Sequence, residues 1–181
     1  MTAEETRAYI KDQLHGMGMP IVEANGFLAI KRLKTHKAYI AAKKIGAYAP
    51  QPEQVDVTHI MPQEEREFYI PALDETLGIY RMAKMGDTFK RNTYGTVEPV
   101  DPEFAGADEL DLILVPGIAF DDEGRRLGPE PDFYNDLLNY YNAVFIGLAV
   151  DAQRINDLPV PDDAPRMDFV VTESYCIESG K

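Results

Sequence analysis

Between Val115 and Leu138 the chain gathers a dense set of residues able to do chemistry. The segment Val115-Pro-Gly-Ile-Ala-Phe-Asp-Asp-Glu-Gly-Arg-Arg-Leu-Gly-Pro-Glu-Pro-Asp-Phe-Tyr-Asn-Asp-Leu-Leu138 holds two adjacent arginines, six carboxylates and Tyr134. It follows an apolar run and leads into a helical pattern. That is where open α/β sheets bind ligands, beyond the carboxyl end of a strand whose loop feeds the next helix. Arg125 is read as a solvent-exposed partner for Asp121, Asp122 or Glu123. Pro131-Asp132 before Phe133-Tyr134-Asn135 predicts a helix start with Asp132 as N-cap; an acidic metal-binding loop is the alternative. Tyr134 belongs either to the core or to a pocket wall. Elsewhere chemistry is sparse. His15, His36 and His59 share no ligating spacing and are read as structural. The single cysteine, Cys176, excludes an internal disulfide or a thiolate cluster, and without a basic neighbour nothing depresses its pKa.

These residues need elements to position them. Asp111–Pro116 and Phe145–Val150 are apolar runs suited to buried parallel strands. With Phe133–Tyr141 helical between them, residues 110–150 predict a βαβ unit. Glu67–Pro71, Thr76–Met82 and Asp168–Thr172 read as further strands, and Glu98-Pro99 as a turn after a strand. A helix is expected from Ala3 to Leu14, stopped by Gly16 and Gly18. The spacing of Ile30, Leu33, Ile40, Ala41, Ala47 and Tyr48 predicts one amphipathic helix from about Phe27 to Ala49, ended by Pro50 and Pro52. Met82, Met85 and Phe89 are assigned to core packing, with a pocket for a flat ring as the other use. The fold class is α/β with a largely parallel sheet.

At 181 residues and 45% hydrophobic, the chain is expected to form one domain, 1–181. No apolar run approaches the roughly 20 residues of a membrane span. Glu4, Glu5 and Asp12 fit neither a secretory leader nor a transit peptide, so a cytoplasmic setting is expected. A net charge of −13 argues against a nucleic-acid partner. The charge is segregated: residues 1–50 carry eight basic and four acidic side chains, whereas residues 51–181 carry ten and twenty-seven. The basic stretch is either a solvated helix face docked on the acidic remainder or a surface for an anionic ligand.

The order Val115-Pro-Gly-Ile-Ala-Phe-Asp121, Gly124-Arg-Arg-Leu-Gly128 and Phe133-Tyr134 resembles the signature of the 5-formyltetrahydrofolate cyclo-ligase family. Tyr48 with Pro50, Val55-Asp56, Ile70-Pro71, Gly95-Thr-Val-Glu-Pro99, Gly147-Leu-Ala149 with Gln153, Leu158-Pro159 and Thr172-Glu173 fall in the family's order, so the likeness covers roughly residues 27 to 175. It implies a three-layer fold with helices on both faces of an open sheet, and an ATP- and magnesium-dependent reaction on a folate. ATP phosphorylates the formyl oxygen of 5-formyltetrahydrofolate, N10 attacks, and loss of phosphate leaves 5,10-methenyltetrahydrofolate. Such chemistry needs cations and N–H donors around the phosphoryl group. By resemblance, Lys11 and Arg126 face the phosphates, His15, Leu127, Gly128 and Tyr134 complete the nucleotide site, Gln54 and Tyr134 bind folate, and Asn135 holds magnesium.

The sequence departs from the family pattern at several of these places. The family's Arg-Leu-Gly-x-Gly-x-Gly-x-Tyr-Asp loop keeps Arg126, Leu127 and Gly128, but its next glycines are Glu130 and Asp132, flanked by Pro129 and Pro131, which have no N–H to give. An unneutralised carboxylate about 4 Å from a phosphate opposes it by roughly 4 kcal/mol at an effective dielectric near 20. Asn135 replaces the metal-binding Asp, Gln54 replaces a folate-binding Glu, and His15 replaces the arginine of a Lys-x-x-Leu-Arg motif. Two functions follow: the family's enzyme, or a relative that binds folate or a protein partner without ATP-driven cyclisation. A third is an acidic loop that binds a metal or a cationic ligand.

Overall fold

The computed structural model describes residues 1–61, 63 and 65–181. Helix α1, Ala3–Met17, starts on a capping box: Thr2 Oγ1 accepts the Glu5 N–H and the Glu5 carboxylate accepts the Thr2 N–H. It ends at Gly18, and α2, Met19–Leu33, follows with Pro20 in its first turn, where no N–H is needed. Next come α3 (Lys37–Ala41), β1 (Lys44–Gly46), a 3-10 turn (Thr58–Ile60), and the hairpin of β2 (Glu67–Asp74) and β3 (Ile79–Lys84). The remainder is β4 (Phe89–Arg91), β5 (Val97–Pro99), β6 (Leu112–Val115), β7 (Ala119–Phe120), β8 (Arg126–Leu127), α4 (Tyr134–Tyr140), β9 (Val144–Leu148), a 3-10 turn (Asp151–Gln153), β10 (Phe169–Val171) and β11 (Cys176–Glu178).

The expected βαβ unit is present, β6 and β9 pairing in parallel with α4 between them. The single helix from Phe27 to Ala49 is not. Ile30 and Leu33 are core positions of α2, but Ile40 is 60% exposed, so the helical period breaks after Leu33. His36 caps a new five-residue helix, and residues 44–46 form a strand wedged between β2 and β6. The expected strand at Thr76 begins only at Ile79, because Asp74 Oδ1 accepts the N–H groups of Thr76 and Leu77 and closes a turn.

Seven strands form one sheet in the order β11-β10-β9-β6-β1-β2-β3. The five inner strands are parallel and the two edges antiparallel. Leu112 and Leu114 point to a core with Ile10, Leu14, Ile30 and Leu33 of α1 and α2; Ile113 and Val115 point to a second core with Leu137 and Leu138 of α4. Helices therefore cover both faces, giving three layers. Seven residues are too few to hold a helix alone, so α4 depends on burying Leu137 and Leu138. Among the described residues no helix is long and apolar enough to cross a membrane.

After β1 the chain moves to β2 and β3 on one side, then returns to β6 and β9 on the other. The order of the sheet reverses between β1 and β6, which leaves a crevice beyond their carboxyl ends.

Candidate functional site

A cavity of about 400 Å³ fills that crevice. Tyr48 and Ala49 enter it from the end of β1, Pro116 from the end of β6, and residues 129–134 from the loop before α4. Tyr80, Tyr94 and Thr96 close the side formed by the hairpins. Three residues assigned from the sequence meet there: Gln54, Arg126 and Tyr134.

Gln54 receives the Gln51 N–H on its Oε1 at 2.9 Å, so its amide N–H groups are the part available to a ligand. Gln51 and Gln54 also line a second cavity of about 570 Å³ beneath α2, with Glu23, Glu53 and Asp56 among its walls. Tyr134 is 5% exposed, and its hydroxyl has no hydrogen-bond partner among the described residues. Burial drives its pKa well up, against the pull of Arg126, so it stays a neutral donor. Tyr48 is also buried, but its hydroxyl donates to the Val55 carbonyl at 2.7 Å. Tyr80 stacks on Phe133 with ring centroids 4.1 Å apart, and Phe133 stacks on Tyr134 at 5.3 Å, giving the cavity an aromatic wall.

Arg126, 4% exposed, donates from Nε to the Pro116 carbonyl at 2.6 Å and from both terminal nitrogens to Asp132 at 2.8 and 3.2 Å. Its guanidinium carbon lies 4.9 Å from the centre of the Tyr134 ring. The other loop carboxylate, Glu130, faces Arg7 at 3.4 Å, and Arg7 Nε donates to the Gly128 carbonyl at 2.8 Å. Both loop acids thus have an arginine partner, Asp132 in a buried fork and Glu130 at an exposed contact. Asp132 does accept the Tyr134 N–H, but the N-cap residue is Phe133 and the principal partner of Asp132 is Arg126.

The remaining assigned residues lie outside this cavity. Lys11 is exposed on α1 and lines neither cavity. His15 pairs with Glu53 at 2.6 Å. Leu127 is core, and Gly128 contributes its carbonyl to Arg7. Asn135 is exposed, and among the described residues no three His, Cys, Asp or Glu side chains converge to hold a metal. A preformed magnesium cage does not fit this residue set. Met82 belongs to the core beneath α4, Met85 packs against the other core, and Phe89 is exposed. Arg125 pairs with Asp121 at 2.7 Å as expected, but with a side chain only 15% exposed. Arg7, Tyr80 and Tyr94 were missed; only the pairing of distant segments brings them here.

The model of the 5-formyltetrahydrofolate cyclo-ligase family matches residues 2–173. A 5-formyltetrahydrofolate cyclo-ligase of Haemophilus influenzae is 33% identical over 117 residues, 60% of this chain and 63% of that protein. A mitochondrial 5-formyltetrahydrofolate cyclo-ligase of Arabidopsis thaliana is 25% identical over 85% of this chain and 63% of its own length. The match therefore spans less than two thirds of each of these relatives. The NMR structure of the Aquifex aeolicus 5,10-methenyltetrahydrofolate synthetase superposes with a TM-score of 0.86 at 25% identity, covering 100% of this chain and 94% of that one.

Proposed function

Because the chain belongs to the 5-formyltetrahydrofolate cyclo-ligase family, we propose that it converts 5-formyltetrahydrofolate and ATP into 5,10-methenyltetrahydrofolate, ADP and phosphate in the switch-point cavity. One observation carries this reading: Gln54, distant in sequence from Arg126 and Tyr134, lines one cavity with them, and all three are assigned by family pattern to folate and phosphate. ATP supplies a phosphoryl group that turns the formyl oxygen into a leaving group. The protein's part is to position the reactants and stabilise charge. The aromatic wall of Tyr80 and Phe133 suits a flat pterin ring. Gln54 donates its amide N–H groups to the folate, Tyr134 offers a neutral hydroxyl, and Arg126 is the cation nearest a transferring phosphoryl. Magnesium bound with ATP would supply charge neutralisation at the transferring phosphoryl group.

The test is incubation of the purified protein with 5-formyltetrahydrofolate and ATP-magnesium, following the absorbance of the methenyl product. ATP-dependent product is expected from the wild type and not from Arg126→Ala. A folded wild type that binds folate without forming product would establish the non-cyclising alternative instead.

A further inference from the structure

We propose that Asp132 occupies the anion seat of Arg126, so that a phosphate-bearing ligand enters the cavity by exchanging with the protein's own carboxylate. This rests on reading the cavity as the cyclo-ligase site, and it identifies what sets its affinity for anions. The Arg126 guanidinium is fixed. Its side chain is 2% exposed, its Nε donates to the Pro116 carbonyl and its guanidinium carbon lies 4.9 Å from the centre of the Tyr134 ring. Asp132 is the more accessible partner: its side chain is 18% exposed, on a loop whose other acid makes one contact, to Arg7.

The backbone is shaped to admit this carboxylate. A Cβ on Gly128 would overlap the Asp132 carboxylate and press on the Arg126 terminal nitrogen at 2.7 Å. Glycine at 128 thus leaves the room in which the bidentate pair forms. Carboxylate and phosphoryl oxygens meet a guanidinium fork in the same way, through two parallel N–H···O bonds. A phosphoryl group can therefore replace Asp132 without leaving Arg126 unpaired. A neutral ligand cannot, because it would strand a buried guanidinium. The exchange selects for anions and lowers their affinity together.

The test is isothermal titration of inorganic pyrophosphate into the full-length protein, wild type against Asp132→Asn. Asparagine keeps an acceptor for the Tyr134 N–H and removes the competing charge. Binding at least tenfold tighter, about 1.4 kcal/mol, is expected; unchanged or weaker binding by a folded variant overturns the proposal. Should the variant fail to fold, the wild type decides through the Tyr134 amide, whose acceptor is Asp132 Oδ1. Loss of its protection from hydrogen exchange at saturating pyrophosphate supports the exchange, and unchanged protection overturns it. Folate conversion, assayed in parallel, separates the two readings. Turnover without tighter binding removes the Asp132 proposal alone, and tighter binding without turnover removes the proposed reaction alone.

Discussion

Arg7 and Lys11 stand one helical turn apart on α1, and only Arg7 touches the loop before α4. Its Nε holds the Gly128 carbonyl and its terminal nitrogen faces Glu130, so it fixes the loop that carries Asp132. Lys11 is exposed and makes no ion pair among the described residues. A hydrogen bond from a charged donor contributes roughly 1.5–3 kcal/mol, whereas an unpaired surface lysine contributes little. Arg7→Ala is therefore expected to weaken ATP-magnesium binding about tenfold, or ~1.4 kcal/mol, and Lys11→Ala to change it less than about twofold. Titration of both variants checks this. Equal losses would place the phosphates further along α1 than the loop.

The segment from β6 to β9 was readable because its strands are buried on both faces and so appear as continuous apolar runs. Residues 27–49 misled for the opposite reason. Near-helical spacing is served there by the end of α2, by α3 and by β1, and Ala47 and Tyr48 owe their burial to β1 lying between β2 and β6, a pairing only tertiary structure supplies. The site divides likewise: Gln54, Arg126 and Tyr134 could be found from the order of residues, while Arg7 and Tyr80 reach it through long-range packing. The break before α3 also introduces a titratable cap. His36 Nδ1 accepts the Ala38 N–H at 3.2 Å, and the ring packs edge-on against Phe169 at 4.4 Å. Burial, then Lys37, lowers the His36 pKa, with Glu178 pulling the other way. The unfolded chain therefore takes up the proton first as pH falls from neutrality, and stability is lost through and below about pH 6.5. His36→Asn retains a good N-cap without a titrating ring. Urea midpoints should fall between about pH 7 and pH 5.5 in the wild type and stay flatter in His36→Asn. Equal slopes would exclude His36 as the source.

Folding interleaves charges that the sequence segregates. The strand that ends the basic stretch, β1, sits in the middle of the sheet, so Lys44 meets Glu109 at 3.0 Å, Arg7 meets Glu130, and Arg32 donates to the Glu173 carbonyl. Two effects of acid then compete. Protonation relieves the self-repulsion of a chain carrying −13, but it also dissolves pairs that hold carboxylates ionised. Hydrogen bonding to Arg81 lowers the pKa of Asp74, and hydrogen bonding to Arg154 lowers that of Asp122. The Gly106 N–H and then Lys44 lower that of Glu109. Glu173 runs the other way, raised by burial. With three carboxylates lowered and one raised among the described residues, these groups bind fewer protons in the folded state than in the unfolded chain just below the ordinary carboxylate range. Stability contributed by the three is present above their unfolded pKa values and lost as pH falls through the lowered folded ones. The urea midpoint should therefore drop from about pH 5 to about pH 3, and Asp74→Asn, which removes one of these groups, should make the drop shallower. A midpoint that rises on acidification would mean that relief of the net negative charge outweighs the local pairs.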